Sequence, residues 1–291
     1  MLNTTGILID AFVESLQQGF RRLHPDAAGS DTEFIAGAAR TSMQWIASSN
    51  ALYHNFEHTM LVTTVGMDIL QGKKLAGDEA HRETSLNIIL ALLCHDIGYV
   101  RGICAADTAD GFASGAGNTL VKLTAGISDA GLMPYHIDRG KRYVEEQYAG
   151  HALIDVAVVQ ACIERTRFPI PEDDSYRISG DYPGLVRAAD LIGQLSDPRY
   201  LAKLPAVFYE FEETRYNRST GYQNPGDLLH TYPKFFRCCV LPYLDEALQY
   251  LELTPEGRDV TGKLFANVQM AEGRSANEVR ETLSPLQTSA L

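Results

Sequence analysis

The sequence has no CxxC pair, a single tryptophan, little strand-like alternation and no long hydrophobic run. Crossing a bilayer takes roughly 18 consecutive apolar residues. The longest run here, from Ile88 to Cys94, stops well short of that at His95-Asp96, so no membrane-spanning segment is expected. Met1-Leu2-Asn3-Thr4-Thr5 carries no basic residue, and Asp10 and Glu14 interrupt the next stretch. No secretory signal is expected and the chain reads as cytoplasmic. The five cysteines (Cys94, Cys104, Cys162, Cys238 and Cys239) are odd in number, which fits reduced thiols better than a disulfide framework. Cys238 and Cys239 sit in an apolar helical pattern and read as small core residues. Basic charge is scarce, with 25 Lys and Arg against 37 Asp and Glu, a formal net charge of −12. That argues against broad binding to nucleic-acid duplexes or anionic membranes. A phosphate substrate remains compatible with it, because a metal ion and a few arginines can reverse the field locally.

What is present is helical periodicity. Apolar residues recur at three- and four-residue steps through Leu8, Ala11, Phe12, Leu16 and Phe20, then through Phe34, Ala38, Ser42 and Trp45 with Asp31 as the expected cap. Further helices are expected over His54–Leu70, Glu83–Cys94, Thr119–Ala130, Ile137–Tyr148, Ile154–Arg165, Tyr182–Leu195, Leu201–Tyr216, Tyr232–Leu251 and Pro255–Met270. The five glycines between Gly98 and Gly117 mark a loop over the site. No repeat or low-complexity linker divides the chain. The expected fold is all-α: helices of residues 1–50 packed on a single helical domain over 51–271, and a flexible tail over 272–291.

The residues that carry chemistry are polar groups set among these apolar stretches. Tyr53-His54-Asn55-Phe56-Glu57-His58 places two histidines four residues apart, on one face if the segment is helical. His95-Asp96 ends a buried apolar helix, where uncompensated polar groups would be costly. Asp190 adds a second carboxylate. Nitrogen and oxygen donors without sulfur suit one or two divalent ions of the Mg, Mn, Fe or Zn kind. Such an ion can turn water into a nucleophile near neutral pH, so the chain reads as a metal-dependent hydrolase. His24, His81, His151 and His230 read as structural.

This constellation resembles the HD superfamily of metal-dependent phosphohydrolases. Tyr53-His54-Asn55 followed by His58 is similar to the Tyr-His-Asn-x-x-x-His element of class I cyclic-nucleotide phosphodiesterases. The segment Leu185 to Leu191 is similar to the one carrying their last metal Asp, and Phe235 through Leu244 to their Phe-containing helix and Leu-Pro turn. The resemblance runs from Tyr53 to Leu244. It implies an HD-type helical domain with a bimetal site between helices, in which His58, His95, Asp96 and Asp190 bind the first ion and Asp96 bridges to a second, weaker one. It further implies attack by metal-bound hydroxide, with Asp96 and His54 in the catalytic set and His54 as the general acid protonating the leaving oxygen. The expected partner is a small phosphorylated substrate, a phosphodiester or a (cyclic) nucleotide-like one, with a homodimer as candidate oligomeric state. His136 and Arg139, opening a helix, are candidate substrate ligands, as are Tyr232 and Phe235; Arg101 is a further candidate phosphate contact.

Two positions depart from that pattern. Tyr99 stands where a second histidine often follows the metal Asp, and Tyr232 where a purine-clamping Gln is usual. A tyrosine cannot make the two-way amide contact of a Gln, so no strong preference for cyclic AMP or cyclic GMP is expected. Two other readings carry weight. His54-Asn55-Phe56-Glu57-His58 is literally the H-x-x-E-H of inverted-motif zinc peptidases, with Glu57 as base. A catalytically inactive HD domain acting as a nucleotide-binding sensor is the other.

Overall fold

The structure, a computed structural model, describes residues 2–283, of which 274–283 are given as helical backbone only. Among these residues the fold is all-α, with twelve α-helices and one two-stranded sheet. The helices α1 (Thr4–Leu23) and α2 (Gly29–Ala47) pack on each other and on α3 (Phe56–Leu75) and α4 (Arg82–Cys94). Asp31 sits in the first turn of α2 rather than at its cap, where its carboxylate accepts the Ala28 N–H at 3.0 Å.

α4 lies at the centre, and every residue from Ser85 to Cys94 is buried. Each buried Leu or Ile there stabilises the fold by about 1.5–3 kcal/mol. Against this pillar pack α6 (Val156–Arg165) and α7 (Tyr182–Leu195), with α5 (His136–Tyr148) against α6. α7 also runs against α3, and Gly193 lets the two approach closely: a Cβ there would lie 2.7 Å from Val62 Cα. α8 (Tyr200–Glu213), α9 (Tyr216–Thr220), α10 (Pro225–Phe235), α11 (Asp245–Leu251) and α12 (Pro255–Leu283) complete the chain. One hydrophobic cluster runs from Ile9 to Ala271. No helix among the described residues is long and apolar enough to cross a membrane.

The structure departs from the sequence expectation in several places. Residues 119–130 are not a helix. β1 (Phe112–Ala113) pairs antiparallel with β2 (Leu120–Val121), and a 3₁₀ helix starts only at Asp129. Gly126, at φ +87°, and the Ser128 side chain, which accepts the Ala130 N–H, set that break. The helix expected over Tyr232–Leu251 is interrupted by a π-turn (Phe236–Val240) and a 3₁₀ turn (Leu241–Tyr243), where Pro242 has no N–H to continue the ladder. That π-turn leaves Cys238 and Cys239 exposed rather than in the core. α12 continues past position 272 to Leu283, where a tail was expected; residues 284–291 lie outside the described part.

Candidate metal centre

Two helix ends and the middle of a third helix meet at one point. His58 lies in the first turn of α3, His95 and Asp96 follow the last residue of α4, and Asp190 is in the middle of α7. The Asn of the Tyr-His-Asn element has a local task. Asn55 is extended (φ −126°, ψ 179°), and its side-chain oxygen accepts the N–H groups of Glu57 and His58 at 3.0 and 3.4 Å. That cap starts α3 at Phe56. His54 is therefore outside the helix, and the shared helical face expected for His54 and His58 does not exist.

His58, His95 and Asp190 each bring one donor atom within 4.8 Å of the others and could hold a metal ion. Asp96 joins them. His58 Nε2 is 3.2 Å from Asp96 Oδ2, 3.4 Å from Asp190 Oδ1 and 3.3 Å from His95 Nε2. His95 Nε2 is 3.2 Å from Asp96 Oδ2 and 3.6 Å from Asp190 Oδ1. Ligand atoms about 2.1 Å from a shared ion lie about 3.0–3.4 Å apart in octahedral or tetrahedral sites. His95 Nδ1 donates to Leu92 O at 2.8 Å, so when the ring gives up its other proton the Nε2 lone pair faces inwards. Three donor atoms thus converge, from His58, His95 and Asp190, and Asp96 Oδ2 adjoins both histidine nitrogens without a hydrogen-bond donor of good geometry. The donor set fits a cation.

Charge tells the same story. Burial works to lower the His58 and His95 pKa values, but Asp96 and Asp190 overcome it: both are raised, His95 to about 9. Burial works to raise the Asp96 pKa, yet His95 and His58 hold it well below the usual carboxylate range. The cluster therefore keeps protons where an ion would sit, and protons and ion compete for it.

His54 stands beside this cluster, 5.7 Å from His58 between ring centroids. Its Nδ1 pairs with Glu210 Oε2 at 2.5 Å, and Glu210 Oε1 accepts the backbone N–H of Tyr53 and His54 at 2.7 and 3.2 Å. Burial works to lower the His54 pKa, but the Glu210 charge and hydrogen bond leave it raised. Tyr99 is sandwiched between His54 (4.6 Å, 11° between planes) and His136 (4.5 Å, 25°). His136 Nδ1 donates to Met133 O at 2.6 Å, and its Nε2 faces Asp96 Oδ1 at 3.9 Å.

A pocket of about 100 Å³ opens on the cluster, lined by His54, His58, Asp96, His136, Asp190 and Phe235 among others. Two expected substrate residues lie elsewhere. Arg139 is fully buried with every N–H in use: Nε to Gly98 O, Nη1 and Nη2 to Asp107 and to Ala113 O and Val100 O. It clamps the glycine-rich loop instead. Tyr232 lines an adjoining aromatic cavity with Tyr200, Tyr216 and Tyr222, which shares Phe168, Phe211 and Phe235 with the pocket on the cluster. Arg101 is likewise committed, to Asp129 at 2.9 Å and Ile127 O at 2.6 Å.

Glu210, absent from the sequence expectation, had one signal. It is an acid on the buried side of α8, among Leu204, Val207 and Phe208, where only a paired carboxylate is tolerated.

Fold and site together define an all-helical domain with a buried His/Asp cluster able to hold a metal ion. Residues 2–274 match the family model described as Npun_R2479-like; the chain belongs to that family. No curated protein matches it.

Proposed function

We propose that this chain is a metal-dependent phosphohydrolase acting on a small phosphorylated substrate, a phosphodiester or nucleotide-like molecule. The observation that carries the reading is the convergence of donor atoms from His58, His95 and Asp190, with Asp96 Oδ2 3.2 Å from both histidine nitrogens, beside a carboxylate-held histidine. On this reading His58, His95, Asp96 and Asp190 hold one divalent ion of the Mg, Mn, Fe or Zn kind. Asp96 Oδ1, turned towards His136, offers a weaker second place. An ion there supplies Lewis acidity and a lowered pKa for a water ligand. Glu210 fixes the Nδ1 proton of His54, so that Nε2–H is the one presented to a leaving oxygen. The raised His54 pKa keeps that proton in place near neutral pH. The small pocket takes the phosphoryl group. It shares Phe168, Ile170 and Phe235 with an open groove of about 500 Å³, which takes the rest of the molecule.

The peptidase pattern finds no support. Glu57, the base of that pattern, is paired with Arg199 and Lys203 instead.

The test is metal content combined with a phosphoester panel that includes both cyclic nucleotides and aryl esters. His58→Ala and Asp96→Ala are expected to lose metal and turnover. His54→Ala keeps metal and loses about 10²–10⁴ in kcat, less for a nitrophenolate leaving group. Full metal occupancy in both ligand variants refutes the assignment. Metal binding without turnover of any ester points to a sensor domain.

A further inference from the structure

Arg187 stands apart from Arg139, the other arginine buried among the described residues. It lies on α7, one turn before Asp190, is 1 % exposed, and lines the metal pocket. Its Nη1 donates to Tyr176 O at 2.6 Å and its Nη2 to Ile178 O at 3.1 Å, while the Tyr243 ring covers the guanidinium at 4.1 Å. Nε is buried with no partner. Neighbouring cations are each matched to an acid: Arg139 to Asp107, Arg165 to Asp181, Arg167 to Glu164 and Asp138. Among the described residues no carboxylate lies within 4.0 Å of Arg187. Burial and the Arg165 charge push its pKa down to about 10, which still leaves it cationic at neutral pH.

A buried cation without an acid is costly, and two carbonyls and an aromatic face offset only part of that cost. Asp96 and Asp190, the carboxylates of the pocket, are turned to the histidine cluster. Among the described residues nothing supplies that anion, and the pocket that Arg187 lines can take one from solution. A planar fork of donors suits a phosphate with several free oxygens. The pocket that Arg187 lines also holds His54, His58, Asp96 and Asp190, so a phosphate paired with Arg187 sits against the cluster.

We propose that Arg187 is a substrate-binding residue that pairs with a terminal phosphate, making phosphomonoesters the preferred substrate class. The substrate class rests on the hydrolase reading above; the anion site does not.

Inorganic phosphate is the probe, titrated calorimetrically into wild type, Arg187→Gln and Arg187→Lys, with and without manganese. Loss of one charge-assisted contact predicts about 10–100-fold weaker phosphate binding in Arg187→Gln, with Arg187→Lys in between. Equal affinity in wild type and Arg187→Gln overturns the site. If the variants do not fold, wild-type crystals soaked in tungstate decide. Anion density within hydrogen-bond distance of Nε or Nη supports the site, and density only elsewhere overturns it. The ratio of kcat/KM for an aryl phosphomonoester over its methyl diester is expected to fall about tenfold or more in Arg187→Gln. An unchanged ratio overturns the substrate class. Arg187-dependent phosphate binding with no turnover would leave the anion site standing and remove the hydrolase.

Discussion

Glu210→Gln removes one charge and almost nothing else, which makes it a sharp perturbation. The carboxylate is 1 % exposed and accepts three hydrogen bonds, at 2.5 Å from His54 Nδ1, 2.7 Å from Tyr53 N and 3.2 Å from His54 N. A glutamine oxygen can keep the two backbone N–H groups, and its NH₂ then faces His54 Nδ1, which must give up its proton to accept that bond. Losing the charge-assisted bond costs roughly 1.5–3 kcal/mol, which is the expected loss.

Its pH dependence is the diagnostic part. Burial lowers the His54 pKa and Glu210 more than restores it, so the folded value is raised above the ordinary 6.5. That share of stability is full below 6.5 and is lost as pH rises through the raised value. Burial works to raise the Glu210 pKa, and His54 leads in holding it below the ordinary 4.5. Its share is present above 4.5 and is lost as pH falls through the lowered value. Urea unfolding of chelator-treated wild type and variant from pH 3 to 9 should therefore show the widest gap between about 4.5 and 6.5. The gap should narrow on both sides. A gap that stays constant over the whole range refutes the ion-pair account.

Three further outcomes rest on packing and charge. Gly193→Ala sets a Cβ 2.7 Å from Val62 Cα, which should cost about 1–3 kcal/mol and weaken metal binding by forcing α3 from α7. Gly37→Ala, with nothing within 4 Å, is the control and should be neutral or stabilising by up to about 1 kcal/mol in thermal melts. Asp107→Ala leaves the Arg139 guanidinium buried without its acid, a loss of about 3–5 kcal/mol; limited proteolysis should then cut between residues 102 and 117. Burial, helped by Glu256, raises the Asp68 pKa to about 6. Its charged form is disfavoured in the fold, so stability falls as pH climbs from about 4 through 6, and Asp68→Asn should gain about 1–2 kcal/mol at pH 7.5 and nothing at pH 3.5.

The His/Asp cluster was legible because its members interrupt apolar runs. His95 and Asp96 end the most buried helix, and a polar pair there requires a partner. Asp190 lies on a helix whose other buried residues are mostly apolar. The position of His54 was not legible, since four-residue spacing is read as one helical face unless the Asn55 cap is known to start the helix two residues later. Glu210 lies 156 residues from His54, and no local pattern joins them. The arginines could not be sorted by sequence at all. Arg139 opens a helix near the site and Arg187 lies inside one. Which of them is neutralised depends on Asp107, brought to Arg139 by a loop whose path is set by tertiary packing.

Tyr99 bears on how many ions the cluster holds. It stands three residues after Asp96, where an imidazole would add a nitrogen donor near Asp96. Its phenol is buried, and burial with the Asp96 charge raises its pKa well above 10. It stays neutral and is a poor cation ligand, and its ring serves instead as the spacer between His54 and His136. The donors left on that side are Asp96 Oδ1 and His136 Nε2, 3.9 Å apart, against the His58, His95 and Asp190 group at the first place. Burial lowers the His136 pKa, so its lone pair is free at neutral pH, yet one carboxylate oxygen and one imidazole make a weak pair of anchors. On the proposed reading, calorimetric titration with manganese should give one tight equivalent and a second at least tenfold weaker, and Tyr99→His should tighten only the second. Two equally tight equivalents in the wild type would show that the second place draws on donors other than these.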